Sequence, residues 1–198
     1  MKQNTPANIV SVGKADEGKA IATVALAFAS DPMMRWSFPD PEQFFEIAEP
    51  FLRAFGSRAF EHGTADATAN LESVALWLPP NIESDGEAMM QFFEKARSSP
   101  ETKKDGEGVF EQMNRFHPKE PHWYLPLIGA DPVHQGKGYG AALMAHAMQR
   151  CDESHLPAYL ESSKPSNVPF YERFGFKVMG TIQQGSSPVL TPMIRQAR

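Results

Sequence analysis

Three glycines alternate in Val133-His134-Gln135-Gly136-Lys137-Gly138-Tyr139-Gly140, directly ahead of a helical run at 141–144. Residues without a Cβ let the main chain close on an anion. A helix N-terminus adds unpaired N–H groups and the positive end of its dipole, so the stretch predicts a phosphate cradle. As written, 136–141 satisfies the dinucleotide pattern G-x-G-x-x-G/A, and Glu161 ends a candidate strand about 25 residues later. A nicotinamide oxidoreductase is therefore a formal alternative. Against it, 131–135 intervene where that fingerprint puts its first glycine almost at the strand end, and too little chain follows to complete two mononucleotide-binding halves. A Walker-type loop fails, because it needs glycine where Asp131 stands and Ser or Thr where Gly138 stands.

The third reading is Gln135-x-x-Gly138-x-Gly140, a loop whose backbone N–H groups cradle the pyrophosphate of coenzyme A. A second segment, LESSKPSNVPFYERFGF at 160–176, carries Asn167, Tyr171 and Gly175-Phe176 in the order and spacing that go with it. Together the two segments resemble the GNAT N-acetyltransferase superfamily, and 117–123, 129–140 and 160–176 look most like its puromycin N-acetyltransferase-like members. The likeness covers about the C-terminal 80 to 90 residues, has a weaker echo at 74–80, and is weak across 20–60, which shapes the acceptor pocket in that fold.

The resemblance implies acetyl-CoA as donor and the primary amine of a small molecule as acceptor, by direct transfer. It places the cofactor on Ile128, Gly129 and Ala130 of a strand, on Gln135, Gly136, Lys137, Gly138, Tyr139 and Gly140 of the loop, and on Asn167, Phe170 and Tyr171 downstream. A non-catalytic acyl-CoA-binding or sensing module would carry the same segments.

Transfer to an amine needs a neutral nitrogen, a stabilised oxyanion and a proton for the departing thiolate. Tyr171 is the expected general acid, since a phenol of pKa about 10 holds its proton at neutral pH and can still protonate a thiolate whose conjugate acid lies near 8.5. A backbone N–H among 128–130 is the expected oxyanion donor. For the base, Glu161 and Tyr124 are the candidates, with His122 and deprotonation to bulk water left open. Met33, Met34, Trp36 and Phe38 read either as core or as an apolar acceptor wall, with Trp36, Phe38 and Glu161 as the substrate-binding set. His117, Glu120 and His122 lack zinc spacing and read as a solvated loop, and no metal is expected. Cys151 falls on an apolar helix face and reads as inert.

The elements that must hold these groups follow from periodicity. Strands are predicted at 9–12, 63–68, 73–78, 122–130 and 157–160, with a terminal antiparallel pair at 176–182 and 189–194. Helices are predicted from Asp16 through Phe28, from the Asp40-Pro41 start through Phe55, over 84–97 and 109–116, after the glycines, and briefly around Tyr171, where Ser166 or Asn167 could cap; 30–41 reads as a loop. This is a mixed α/β pattern in a single domain, 1–198, with an acceptor side at 1–80 and a cofactor core at 120–180. The resemblance makes it a mostly antiparallel sheet, flanked by helices and splayed between its fourth and fifth strands. Pro126 fits there, because a proline in a strand requires a bulge or an end of pairing.

Composition bounds the rest. With 19 basic against 24 acidic residues and no basic stripe, nucleic acid is not an expected partner. No run approaches the roughly 20 apolar residues that span a bilayer. Residues 1–6 hold no apolar signal core and Cys151 is the single cysteine, so a reducing cytoplasm is expected, while the resemblance allows a homodimer through the C-terminal strands.

Overall fold

Asp-Pro pairs start two of the N-terminal helices. At Asp40-Pro41 the extended Asp40 accepts a hydrogen bond from the Gln43 amide at 3.0 Å, and α3 (Pro41–Gly56) follows. The same chemistry at Asp31-Pro32 turns the predicted loop into a helix. Asp31 Oδ1 accepts from the amides of Met33 at 3.0 Å and Met34 at 3.2 Å, and α2 (Pro32–Ser37) results. Before it runs α1 (Glu17–Phe28), where Asp16 holds the N-cap position without a side-chain bond. The computed structural model describes residues 7–198; the leaderless stretch predicted at 1–6 lies outside it.

The strands are β1 (Ile9–Ser11), β2 (Ala65–Thr68), β3 (Ser73–Leu78), β4 (Trp123–Ala130), β5 (Ala158–Ser162), β6 (Lys177–Val178) and β7 (Thr191–Arg195). They form one seven-stranded sheet in the order β1-β2-β3-β4-β5-β7-β6, antiparallel at every pairing except β4 with β5. All six residues of β3 are buried because both faces of the sheet are covered. Val74, Leu76 and Leu78 enter one core with α1 and α3, whereas Ala75 and Trp77 enter a second with α7 (Tyr139–Ser154) and α8 (Val168–Glu172). Strand alternation thus divides the protein into a layer built on α1 and α3 and a layer behind the glycine loop.

Two further helices complete the first layer, α5 (Gly86–Glu94), capped by Asp85, and α6 (Pro100–Phe116), capped by Ser99, with the short α4 (Arg58–Glu61) between α3 and β2. The sequence predicts only the last half of α6. Its first half carries charge at Lys103, Lys104 and Asp105 and two glycines, and it is held by packing rather than by propensity.

The sheet parts between its fourth and fifth strands, as the resemblance implies. β4 and β5 pair only at Trp123↔Ala158 and Tyr124↔Tyr159, after which they separate. On its other edge β4 pairs Leu127 with Leu76 and Tyr124 with Leu78, so Leu125 and Pro126 together oppose Trp77 in a bulge. The bulge flips the alternation, leaving Tyr124 and Leu127 on the same side of the sheet.

Candidate active site

A cavity of about 540 Å³ opens where β4 and β5 part, lined by 125–130 of β4, by Glu161 of β5, by the loop after β5, and by apolar side chains from the first layer.

On its donor side the main chain supplies the chemistry. The Asp131 amide donates to Glu72 O at 2.9 Å, and Gly129 O accepts from Ser73 Oγ at 2.9 Å, so these groups face β3. By alternation, the amides and carbonyls of Ile128 and Ala130 face the parting. Gln135 spends its side-chain amide on Ala130 O at 3.2 Å, which folds the loop back against the end of β4. Gly138 then sits at the N-cap of α7 with φ +84°, a left-handed conformation that strains any residue with a Cβ. The first amides of α7 lack intrahelical partners and point toward the glycine loop. Among the expected cofactor positions, Ile128, Gly129, Ala130, Gln135, Gly140, Asn167, Phe170 and Tyr171 line the cavity; Gly136, Lys137, Gly138 and Tyr139 form the rim at the helix start, outside it. Asn167 stands at the head of α8 but makes no capping bond, so the capping role considered for it is absent and its amide is free toward the cavity. A split strand edge beside a glycine-capped helix N-terminus fits an elongated ligand that ends in a pyrophosphate.

Glu161 stands across the cavity. Tyr124 Oη donates to Glu161 Oε2 at 2.8 Å, while Glu161 Oε1 is buried without a hydrogen-bond partner. Burial pushes the Glu161 carboxyl up to about 7, against the pull of the Tyr124 and Tyr159 hydroxyls toward lower values. Burial and the neighbouring Glu161 charge hold Tyr124 protonated, well above the ordinary phenol value. Tyr124 does not itself line the cavity, so it orients Glu161 from behind.

Behind this pair the structure assembles groups that the sequence predicts to be a solvated loop. His117 and His122 meet Nε2 to Nε2 at 3.1 Å, and His122 Nδ1 lies 2.8 Å from Glu120 O. The carbonyl can only accept, so His122 donates through Nδ1, and between the two Nε2 atoms one ring donates to the other. His117 packs edge-on against both Tyr124 and Tyr159, and burial next to His122 and Lys119 pushes its imidazolium down to about 4. Tyr159 shares the strand face of Glu161 by simple alternation, a signal the sequence did contain.

Tyr171 lies on α8 with its ring packed against Phe170 and Phe176 and lines the cavity. Burial first, and the nearby Asp31 charge second, raise its phenol above the ordinary value. Asp31 links the two sides, since its Oδ1 caps α2 and its Oδ2 accepts from the Ser163 hydroxyl of the loop after β5. Its Asp-Pro signature, the same as that at Asp40, could have revealed it. Of the expected acceptor-wall residues, Trp36 lines the cavity, together with Met33 and Met34. Phe38 does not: it is wholly buried, edge-on to Phe51, and belongs to the core. Cys151 is buried, and burial pushes its thiol up to about 12, out of reach of nucleophilic chemistry.

The family model of the acetyltransferase (GNAT) domain matches residues 108–197. An uncharacterized N-acetyltransferase of Schizosaccharomyces pombe is 30% identical over 179 residues, which cover 81% of this chain and 70% of that one. A crystal structure described as histone acetyltransferase HPA2 and related acetyltransferase, from Corynebacterium glutamicum, superposes with a TM-score of 0.69 at 24% identity, covering 98% of each chain. Arylalkylamine N-acetyltransferase 2 from Aedes aegypti superposes with a TM-score of 0.67 at 11% identity, covering 98% of this chain and 100% of its own. The two structures share the fold, and the yeast relative shares the sequence along most of both chains. On that kinship the protein belongs to the GNAT family of acetyltransferases.

Proposed function

We propose that the protein is an acetyl-CoA-dependent N-acetyltransferase acting on the primary amine of a small molecule, with the cavity between β4 and β5 as its active site. The observation that carries the reading is a cavity at the parting of β4 and β5, lined by the Glu161 carboxyl and the buried Tyr171 phenol, beside the glycine-capped start of α7. GNAT acetyltransferases take their acetyl group from acetyl-CoA, which when bound supplies an activated thioester carbonyl and a thiolate leaving group.

The residues divide the work. Main-chain groups of Ile128 and Ala130 hold the pantetheine arm, the glycine loop and the first turn of α7 hold the pyrophosphate, and Asn167 and Phe170 close the cavity from α8. An N–H in the parting stabilises negative charge on the acetyl oxygen, a contribution of about 3 kcal/mol where such donors have been removed from other enzymes. Glu161 Oε1 receives an acceptor N–H and takes its proton. With its carboxyl near 7, removing a proton from an alkylammonium of pKa about 10 is uphill by roughly 4 kcal/mol, well within an enzymic barrier. As the nitrogen bonds to the acetyl carbon and the C–S bond breaks, Tyr171 Oη would give its proton to the thiolate sulfur, and the second proton released by the nitrogen would restore the phenol.

The test is incubation with acetyl-CoA and a panel of amines, puromycin included as the finer expectation, with N-acetylated product followed by mass spectrometry. Product on a primary amine supports the reading. Acetyl-CoA binding without product on any amine would support a non-catalytic acyl-CoA-binding module instead.

A further inference from the structure

We infer that the acceptor is a monoamine with a hydrophobic, aromatic-sized body, and that polyamines, aminoglycosides and peptide lysines are excluded. The inference rests on the proposed reading of the cavity as an acetyl-transfer site and names the substrate class of that site.

Charge is the first ground. Besides the neutral phenol of Tyr171, the ionisable side chains among the described residues of the cavity wall are Asp31, Glu161 and Lys164. Asp31 is committed to the chain itself, holding the Met33 and Met34 amides on one oxygen and the Ser163 hydroxyl on the other. Lys164 is cationic. Among the described wall residues only Glu161 has a carboxylate oxygen without a hydrogen-bond partner, so the cavity can compensate one ammonium and leaves a second one desolvated without a counter-charge.

Shape and chemistry of the wall are the second ground. Around Glu161 it is built from aromatic and thioether side chains of four helices: Trp36 with Met33 from α2, Phe55 from α3, Phe93 from α5, and Phe110 with Met113 from α6. Methionines adapt to varied apolar shapes, while aromatic rings favour a flat partner. This wall is also closed toward α6. Trp36 Nε1 donates to Ser186 Oγ at 3.2 Å, and Ser186 in turn donates through its amide and hydroxyl to Asp105 Oδ2 at 2.8 and 3.0 Å. The strap joins α2 to α6 and removes the open groove that a peptide chain would need.

Gly106 makes room for this wall. A Cβ placed there would lie 2.0 Å from Cζ of the Phe93 ring, itself part of the wall, so the bare helix surface is what lets that ring take its place. Adding a methyl group there must displace the ring and reshape the wall.

The experiment compares 2-phenylethylamine, ethylamine, putrescine, spermidine, kanamycin and a lysine-containing peptide as acceptors for the full chain with acetyl-CoA, and measures amine binding separately by thermal shift. The expected result is kcat/KM for 2-phenylethylamine about 100-fold above putrescine, the factor that burying a phenyl group and sparing a second ammonium from desolvation supplies. In Gly106→Ala the ratio of 2-phenylethylamine to ethylamine activity falls at least about fivefold. Equal or better turnover of putrescine, spermidine, kanamycin or the peptide overturns the inference and leaves the acetyltransferase reading standing. Stabilisation by 2-phenylethylamine over putrescine without acetylation of any amine upholds the binding class and overturns the catalytic reading instead. If Gly106→Ala does not fold, the wild-type panel decides alone.

Discussion

A carboxyl at the wall of an apolar cavity holds its proton more tightly than one in water, and Glu161, pushed up to about 7, titrates where the enzyme would work. A base must be ionised, so acetyl transfer is expected to fall as pH drops through about 7 and to level off above 8. Glu161→Gln should lower kcat by about 100-fold and abolish that limb, as read from a pH–rate profile. The same shift has the opposite sign for stability. A carboxyl whose folded pKa is raised stabilises the fold below its unfolded value near 4.5, and that contribution is lost as pH rises through about 7. Glu161→Gln should therefore be more stable relative to wild type at pH 8 than at pH 5, by about 1 to 3 kcal/mol in urea denaturation. Tyr171 and Glu161 were legible in the sequence because both lie in one contiguous segment, 160–176 or its edge. Asp31 was legible as a helix cap from its Asp-Pro pair, but its tie to Ser163 was not, nor was the placement of His117, since those neighbours come from β5 and the loop beyond it.

At the scale of elements, the bulge in β4 and the left-handed start of α7 do the positioning. Gly138 holds φ +84°, where an L side chain costs about 1 to 2 kcal/mol. Gly138→Ala should raise the KM for acetyl-CoA about tenfold while leaving amine KM near wild type, measured by varying each substrate in turn. Pro126 required a bulge, an edge or an end of pairing, and a bulge against β3 lies at that residue, whereas the parting itself was implied by the resemblance. Propensity was less informative for α6. Gly106 and Gly108 argue locally against a helix, and the reasons for a bare surface there, Phe93 against Gly106 and Gln184 against Gly108, come from other parts of the chain.

Over the whole molecule, a buried ion pair ties β2 to the helix behind the glycine loop. Asp66 of β2 is 1% exposed and accepts from Arg150 of α7 at 2.8 Å, with His146 Nε2 3.7 Å from its other oxygen, and Arg150 also lies over the Trp123 ring. Burial raises the Asp66 carboxyl and the Arg150 charge opposes the rise, so losing the guanidinium strands a buried acid. Arg150→Met should cost about 3 to 5 kcal/mol in urea denaturation, with kcat per folded molecule unchanged. The glycine loop was readable because it is made of main chain, and glycines record main-chain demands. The apolar wall of the cavity was not, because side chains from four separate helices assemble it and no spacing rule links them. The central claim, that this cavity transfers acetyl to an amine with Tyr171 as acid, is tested most directly by N-acetyl-2-phenylethylamine formation in wild type and Tyr171→Phe, with acetyl-CoA affinity measured on both. Wild type should form product steadily, and the variant at a rate at least about 100-fold lower with unchanged acetyl-CoA affinity. Equal rates in the two proteins would contradict that claim.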